Sequence, residues 1–157
     1  MKTLIVYDSQ FGNTQQIAET LASELGNTSE VQLLNVRQEQ LTISEEVDLL
    51  IVGGPTQMHG VSRPLQEQLD ALPPHSLERV PVATFDTKVH GPRLLTGAAS
   101  GGIGKPLMRR GARLAVKPES FLVASKEGPL AEGELARART WAQQILSAVR
   151  TPVTPGP

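Results

Sequence analysis

Apolar residues recur along the chain in two alternating patterns. Short continuous runs of β-branched and other apolar residues are typical of strands buried on both faces of a parallel sheet. Between these runs, apolar residues spaced every three or four positions predict amphipathic helices. The patterns predict strands over 3–7, 31–36, 47–52, 80–85 and 120–124, and helices over 17–25, 62–72, 101–114 and 133–149.

Strands that alternate with helices predict an α/β fold, a three-layer sandwich in which helices cover both faces of a doubly wound, five-stranded parallel sheet. For the strand order 2-1-3-4-5, the ligand crevice lies outside the carboxyl ends of strands 1 and 3. We therefore expect the functional residues in the loops after Tyr7, Val52 and Phe85. We predict one domain over residues 1–150, followed by a disordered Pro-rich tail over 151–157.

The composition excludes several classes of function. None of the 157 residues is cysteine, which excludes disulfides, thiolate metal sites, iron–sulfur ligation and cysteine nucleophiles. Redox chemistry would therefore need a bound cofactor. The longest clean apolar run, at 49–52, is far too short to span a bilayer, and residues 1–30 lack the pattern of a secretory signal. We therefore expect a cytoplasmic protein without membrane insertion.

The charge is balanced overall but unevenly distributed. A net charge of -1 gives no general attraction to nucleic acid or to an anionic membrane, so no nucleic-acid partner is expected. Residues 1–50 carry two basic and eight acidic side chains, whereas residues 101–157 carry nine basic and four acidic ones. A run of basic residues is typical of a solvated helix face, and the alternative is a docking surface for an acidic partner or a nucleotide phosphate. The run in question comprises Lys105, Arg109, Arg110, Arg113 and Lys117.

The first loop, over residues 9–14, has the composition of a phosphate-binding site. Ser9 and Thr14 supply hydroxyls, Asn13 supplies a carboxamide, and Gly12 permits close approach of the backbone. The loop leads into a helix, whose first turn has unpaired N–H groups and about half a positive charge, so a lysine is not required. The alternative is that one residue caps the helix and Gly12 relieves a tight turn, but capping needs only one such residue.

The segment IVYDSQFGNT at residues 5–14 resembles the signature of flavodoxins and flavodoxin-like proteins of the short-chain type. That signature is an apolar strand ending in an aromatic residue, then Ser or Thr, two variable residues, a small residue, one further residue, Thr and a helix. The order of elements also resembles a short-chain flavodoxin, without an insertion in the fifth strand. The resemblance implies that the loop binds the phosphate of flavin mononucleotide (FMN). The phosphate residues it implies are Ser9, Gly12, Asn13 and Thr14, with backbone contacts from Gln10 and Phe11.

The same resemblance places two further loops against the flavin ring. The loop GGPTQMHG at 53–60 contains two glycines that let the backbone approach a flat ring, although Gly-Gly-Pro can also simply end a strand. The loop DTKVHGP at 86–92 holds the position of the other ring-contacting loop but departs from the family pattern. The ring-binding candidates are Pro55, Thr56, Gln57, Met58, His59, Gly60, Asp86, Thr87, Lys88 and Val89.

The chain departs from common flavodoxins in having few aromatic residues to stack on the ring. Tyr7 belongs to strand 1 and Trp141 to the last helix, so Met58, His59 and Val89 are left to cover the ring. An aromatic pair contributes about 0.5–1.5 kcal/mol, whereas each hydrogen bond to a charged group contributes about 1.5–3 kcal/mol. We therefore expect flavin binding to persist.

Basic side chains near the ring loops are a second departure from the acidic flavodoxins. They are His59, Lys88, His90 and Arg93. Cations stabilise an anionic reduced flavin, which favours a less negative reduction potential. The alternative is that these are solvated loop residues.

Three functions remain open. The resemblance favours an FMN-binding electron carrier, whose redox partner is a protein or a small-molecule electron acceptor. The second is an FMN-dependent oxidoreductase of the NAD(P)H:quinone reductase type, which needs a pocket for another substrate. The third is a flavodoxin-like binding module without flavin. In an electron carrier the cofactor supplies the chemistry, so no catalytic residue and no metal ligand is assigned.

Overall fold

The computed structural model describes residues 1–57, 60–89 and 99–150, and the predicted tail over 151–157 lies outside them. The strands are β1 (Lys2–Tyr7), β2 (Glu30–Asn35), β3 (Leu49–Gln57), β4 (Gly60–Val61), β5 (Pro81–Val89), β6 (Arg113–Leu114) and β7 (Glu119–Val123). The helices are α1 (Asn13–Leu25), α2 (Arg63–Asp70), α3 (Ala99–Arg109) and α4 (Glu134–Arg150). None of these helices is long and apolar enough to cross a membrane.

The main sheet is parallel and has the predicted order. Strands β2, β1, β3 and β5 lie side by side, and both β6 and β7 pair with β5. Strand β6 pairs with Pro81 and Val82, and β7 pairs with residues 85–89, so residues 115–118 interrupt the fifth strand position. The short strand β4 folds back antiparallel onto the end of β3. Among the described residues, six strands therefore occupy the five predicted positions of the sheet, with β6 and β7 sharing the fifth, and β4 is an additional short strand.

Helix α3 ends five residues before its predicted end, and Leu114 lies in a strand instead. Gly111 adopts a left-handed backbone with φ of 95°. The N–H of Ala112 donates to Leu107 O at 3.2 Å, and that of Gly111 donates to Met108 O at 3.0 Å. This is the hydrogen-bond pattern of a Schellman motif, which ends a helix. The apolar spacing that includes Leu114 was misleading, because the chain reverses at Gly111 before it enters β6.

Each face of the sheet carries its own apolar core. Helices α1 and α4 cover one face and α2 and α3 the other. On the α1 and α4 face, the rings of Phe85, Phe121 and Trp141 meet edge to face, with centroids 5.9–6.0 Å apart. Tyr7 is buried in the same core. Four of the five aromatic residues are therefore in this core, and Tyr7 and Trp141 are unavailable for ligand stacking, as predicted.

Two glycines of β3 are required by the core. A Cβ atom at Gly53 would overlap the ring of Phe85, and one at Gly54 would lie 2.9 Å from Leu65 Cδ2. Both glycines are buried within β3. The protein's own side chains occupy the space beside both glycines, so their small size is required by the core whether or not a ligand binds.

The outer edge of β7 is covered by side chains of α4. Glu134 Oε2 accepts a hydrogen bond from the N–H of Leu122 at 2.7 Å, and Arg137 donates to both Glu134 and Ser120 O. Burial by itself would raise the pKa of Glu134, but hydrogen bonds from Arg137 and Leu122 outweigh burial and hold this pKa below its usual value. The ionised carboxylate thus contributes to holding β7 against the last helix.

We expect Gly53→Ala to lower the free energy of unfolding by about 2–3 kcal/mol, because overpacking a core carries a cost of this size. Urea denaturation measures the difference. Gly101→Ala is the matched control, since Gly101 is exposed in α3 and a Cβ atom there would have no neighbouring atom within 4 Å. The control should be about 0.5–1 kcal/mol more stable than the wild-type protein. Equal stability of the two variants would contradict the packing argument.

We expect Glu134→Gln to lower the free energy of unfolding at pH 7 by about 1.5–3 kcal/mol, the contribution of a hydrogen bond to a charged group. Because the folded-state pKa of Glu134 is lowered, its stabilisation is present above the usual value of 4.5 and is lost as the pH falls through the folded-state pKa. The difference between variant and wild type should therefore shrink below pH 4.5 in urea titrations. Glu132→Gln, at an exposed position before α4, should show no difference at either pH.

Candidate functional site

A cavity of about 590 Å³ lies at the carboxyl ends of β1, β3 and β5, within the size range of small-molecule sites. This is the edge where a doubly wound sheet binds its ligands. The first loop contributes Ser9, Gln10, Phe11, Asn13 and Thr14 to the wall. The prediction that loops begin directly after Val52 and Phe85 is wrong, because β3 continues to Gln57 and β5 to Val89. The second loop therefore contributes the end of β3, with Pro55, Thr56 and Gln57, and the third the end of β5, with Thr87, Lys88 and Val89. Val123 and Lys126 complete it.

Most of the predicted site residues line this cavity. Gly12, Gly60 and Asp86 belong to the same loops but do not contribute to the wall. Met58 and His59 lie outside the described residues. Sequence reasoning missed Val123 and Lys126, although one signal was available: the fifth predicted strand ends at the same edge of the sheet as the other parallel strands.

Hydrogen bonds between side chains join the three loops. Gln57 Nε2 donates to Gln10 Oε1 at 3.0 Å, which connects the second loop to the first. The hydroxyls of Thr14 and Thr87 lie 2.8 Å apart, which connects the first loop to the third. These bonds fix three sides of the described wall relative to one another.

Asp86 connects the second loop to the third from beneath the cavity. Its side chain is fully buried, and its Oδ2 accepts a hydrogen bond from Thr56 Oγ1. Thr56 is a wall residue, whereas Asp86 is not. Asp86 therefore acts on the wall by holding Thr56.

A buried carboxylate lies directly before the first loop. Asp8 is fully buried, and its carboxylate accepts hydrogen bonds from Arg37 Nε and Ser62 Oγ. The hydrogen bond to Asp8 raises the pKa of Arg37. The Arg37 guanidinium supplies the positive charge that balances the Asp8 carboxylate. The Asp8 N–H donates to Gly53 O at 3.1 Å. Asp8 thus ties the start of the first loop to the start of the second loop and to Ser62, the residue before α2.

The opening of α1 leaves backbone donors without acceptors. Gly12 precedes the helix with φ of 90°, and Ser9 Oγ accepts hydrogen bonds from the N–H groups of Gly12 and Gln15, at 3.1 and 3.3 Å. Within residues 1–57, 60–89 and 99–150, the N–H groups of Asn13 and Thr14 have no hydrogen-bond acceptor. Ser9 and Gly12 thus shape the turn, and two N–H groups at the positive end of the helix have no described acceptor.

The charged residues on the wall are cationic. Lys88 is half-buried and Lys126 is exposed, and no Asp or Glu contributes to the described wall. Three other basic residues predicted near the ring, His59, His90 and Arg93, lie outside the described residues. The sequence of the first loop indicated neutral donors alone. In the folded chain, Lys88 of the third loop and Lys126 place two ammonium groups on the same wall.

Exposed apolar side chains form part of the wall. Phe11 is 43% exposed and Val89 is 37% exposed. The sequence assigned Phe11 to backbone contacts only. Its ring is the one aromatic group on the described wall, and a ligand that enters the cavity has this ring as a neighbour.

The predicted basic run does not adjoin the cavity. Arg110 donates to Leu72 O, Pro106 O and Asp70 O at 2.8–2.9 Å, so it stabilises the ends of α2 and α3. Arg113 pairs with Pro81 at the start of β5, whereas the cavity lies at the end of that strand. Arg110 is therefore a structural residue, and no residue of the run contributes to the described wall of the cavity.

The comparisons with known proteins agree with this architecture. A family model described as Flavodoxin domain matches residues 4–91, more than half of the chain. Flavodoxin 1 from Bacillus cereus is 18% identical, with a TM-score of 0.77 over 94% of this chain and 98% of that chain. Flavodoxin 2 from Bacillus cereus is 23% identical, with a TM-score of 0.76 over 94% of this chain and 99% of that one.

A flavodoxin from the domain Archaea is 19% identical, with a TM-score of 0.76 over 96% of this chain and all of that chain (100%). No curated protein matches the chain. The structural likenesses show the fold, and the family match covers the first and second loops of the cavity. The chain therefore belongs to the flavodoxin domain family.

Proposed function

We propose that this protein binds FMN in the cavity at the carboxyl ends of β1, β3 and β5 and carries electrons between redox partners. The observation that carries the proposal is the opening of α1. Two backbone N–H groups without described acceptors, those of Asn13 and Thr14, belong to residues of a wall that holds two lysines and no described carboxylate. This donor set fits a phosphate dianion at a helix N-terminus.

The rest of the wall fits the remainder of FMN. Apolar surface from Phe11, Pro55 and Val89 suits a flat aromatic ring, and the amide of Gln57 and the hydroxyl of Thr56 suit its polar edge. The three loops are already joined by hydrogen bonds, so little ordering is needed when a ligand binds. When bound, FMN supplies the electron chemistry, and the protein positions it and sets its electrostatic surroundings.

The same wall favours an electron carrier over a self-sufficient oxidoreductase. A carrier needs a bound cofactor with an edge that a partner can approach, and Phe11 and Val89 form an exposed part of the wall. Reduction of a second substrate in place would also need a pocket for that substrate beside the cofactor. We therefore propose that electrons pass to a separate partner protein or to a small-molecule acceptor.

Reconstitution with FMN tests the proposal. The purified protein is mixed with FMN, freed of excess by gel filtration, and reduced stepwise while its visible absorption is recorded. We expect stoichiometric flavin that is reversibly reduced and then reoxidised by an added acceptor. A colourless protein after gel filtration would leave a flavin-free binding module. Turnover of a quinone by NAD(P)H with this protein alone would instead identify an oxidoreductase.

We expect Gly12→Ala to weaken FMN binding by about tenfold or more, equivalent to about 1.4 kcal/mol. A left-handed backbone at Ala carries a cost of about 1–2 kcal/mol, and relief of this strain would move the first loop. The added methyl group would also project into open space at the opening of α1. Fluorescence quenching of FMN measures the dissociation constant.

Gly133→Ala is the matched control for this variant. Gly133 precedes α4 with φ of 85°, has open space at the Cβ position, and accepts a hydrogen bond from the N–H of Arg137, as Gly12 does from that of Gln16. Both variants should lose similar stability in urea, and only Gly12→Ala should lose FMN affinity. Equal dissociation constants for the two variants would place the phosphate elsewhere.

A further inference from the structure

The loop that follows β7 is fastened to the opening of α1. Asn13 Nδ2 donates to Glu127 O at 3.2 Å, and Gly128 packs so closely against the Asn13 amide that a Cβ there would lie 2.6 Å from Oδ1. Ser125 closes the loop on itself, with its hydroxyl donating to Gly128 O at 2.7 Å. The loop therefore has a defined position beside the first turn of the helix.

Lys126 occupies this loop and lines the cavity together with Ser9, Asn13 and Thr14. In the described part of the chain, it makes no ion pair and no side-chain hydrogen bond. The remaining segments, 58–59, 90–98 and 151–157, contain no Asp or Glu. The protein thus provides this ammonium group with no side-chain carboxylate as a partner.

Two neutral donors in the first loop are already engaged. The amide nitrogen of Asn13 donates to Glu127 O, and the hydroxyl of Thr14 lies in hydrogen-bond contact with that of Thr87. Ser9 Oγ accepts two backbone N–H groups, which orient the hydroxyl and leave its own O–H to donate. A phosphate at the opening of α1 consequently has fewer side-chain hydrogen bonds available than the sequence suggests, and the contact that engages Asn13 also places Lys126 nearby.

We infer that Lys126 binds the phosphate of the ligand and makes binding specific for the phosphorylated flavin. This inference rests on the proposed function. The phosphate then contacts the ammonium group of Lys126 in addition to the N–H groups at the start of α1. The ammonium is exposed, so its contribution to binding falls as salt concentration rises.

The test compares FMN with riboflavin, which has the same ring and no phosphate. Each is titrated into wild-type, Lys126→Gln and Lys126→Arg proteins, and flavin fluorescence reports the dissociation constants. We expect Lys126→Gln to weaken FMN binding about tenfold and to leave riboflavin binding unchanged. Lys126→Arg, which keeps the charge, should retain most of the FMN affinity. Inorganic phosphate should compete with FMN less effectively in the Gln variant.

Salt dependence and a distant lysine provide the controls. The FMN difference between wild type and Lys126→Gln should be largest at low ionic strength and should shrink as salt is added. Lys105→Gln, on the exposed surface of α3 on the opposite face of the sheet, should bind both flavins as the wild type does. Urea denaturation should show equal stability for wild type and Lys126→Gln.

Two results would overturn the assignment of Lys126 while leaving FMN binding intact. In the first, Lys126→Gln binds FMN as tightly as the wild type at low salt. In the second, it loses FMN and riboflavin affinity by the same factor. Failure of the wild-type protein to bind FMN is a different result, which overturns the proposed function and this inference together.

Discussion

The packing of the Phe85 ring against the backbone of Gly53 is the constraint on which the site depends. Gly53 pairs with Tyr7 on one side and with Phe85 on the other, so these residues form one row across the sheet. The ring fits because Gly53 has no side chain. A slip of one residue would move every side chain of β3 to the opposite face. The row thereby fixes the register of β1, β3 and β5, and the wall residues of the cavity follow it along the chain.

The fold could be predicted because the strand and helix patterns are strong and alternate without interruption up to β5. Prediction failed where a single backbone conformation decides the outcome. At Gly111 a left-handed turn ends α3, and the apolar spacing that continues to Leu114 gives no sign of it. The interrupted fifth strand position is equally invisible, because β6 has two residues and is defined by its pairing with Pro81 and Val82.

The candidate site, too, could be predicted only in part. The first loop could be predicted because its residues are contiguous and their spacing matches a known signature. Lys126 could not, since its place on the wall depends on the contact between Asn13 and Glu127, which are 114 positions apart. The packing of Gly53 and Gly54 against Phe85 and Leu65 was likewise not evident from the sequence. Sequence shows that a position tolerates no side chain, but only the packed structure shows which group takes the space.

The uneven charge along the sequence separates charges of opposite sign across the sheet. The exposed acids Glu30 and Glu39 lie in or just after the edge strand β2, and the exposed cations Lys105 and Arg109 lie on α3, which packs against β3 and β5 towards the other edge. With a net charge of -1, the protein attracts ions of either sign only weakly at long range. A charged molecule that comes within about a Debye length, roughly 8 Å at physiological salt, instead responds to the charges of the edge that it approaches. The order of the strands thereby determines which sign of charge an approaching molecule meets at each edge.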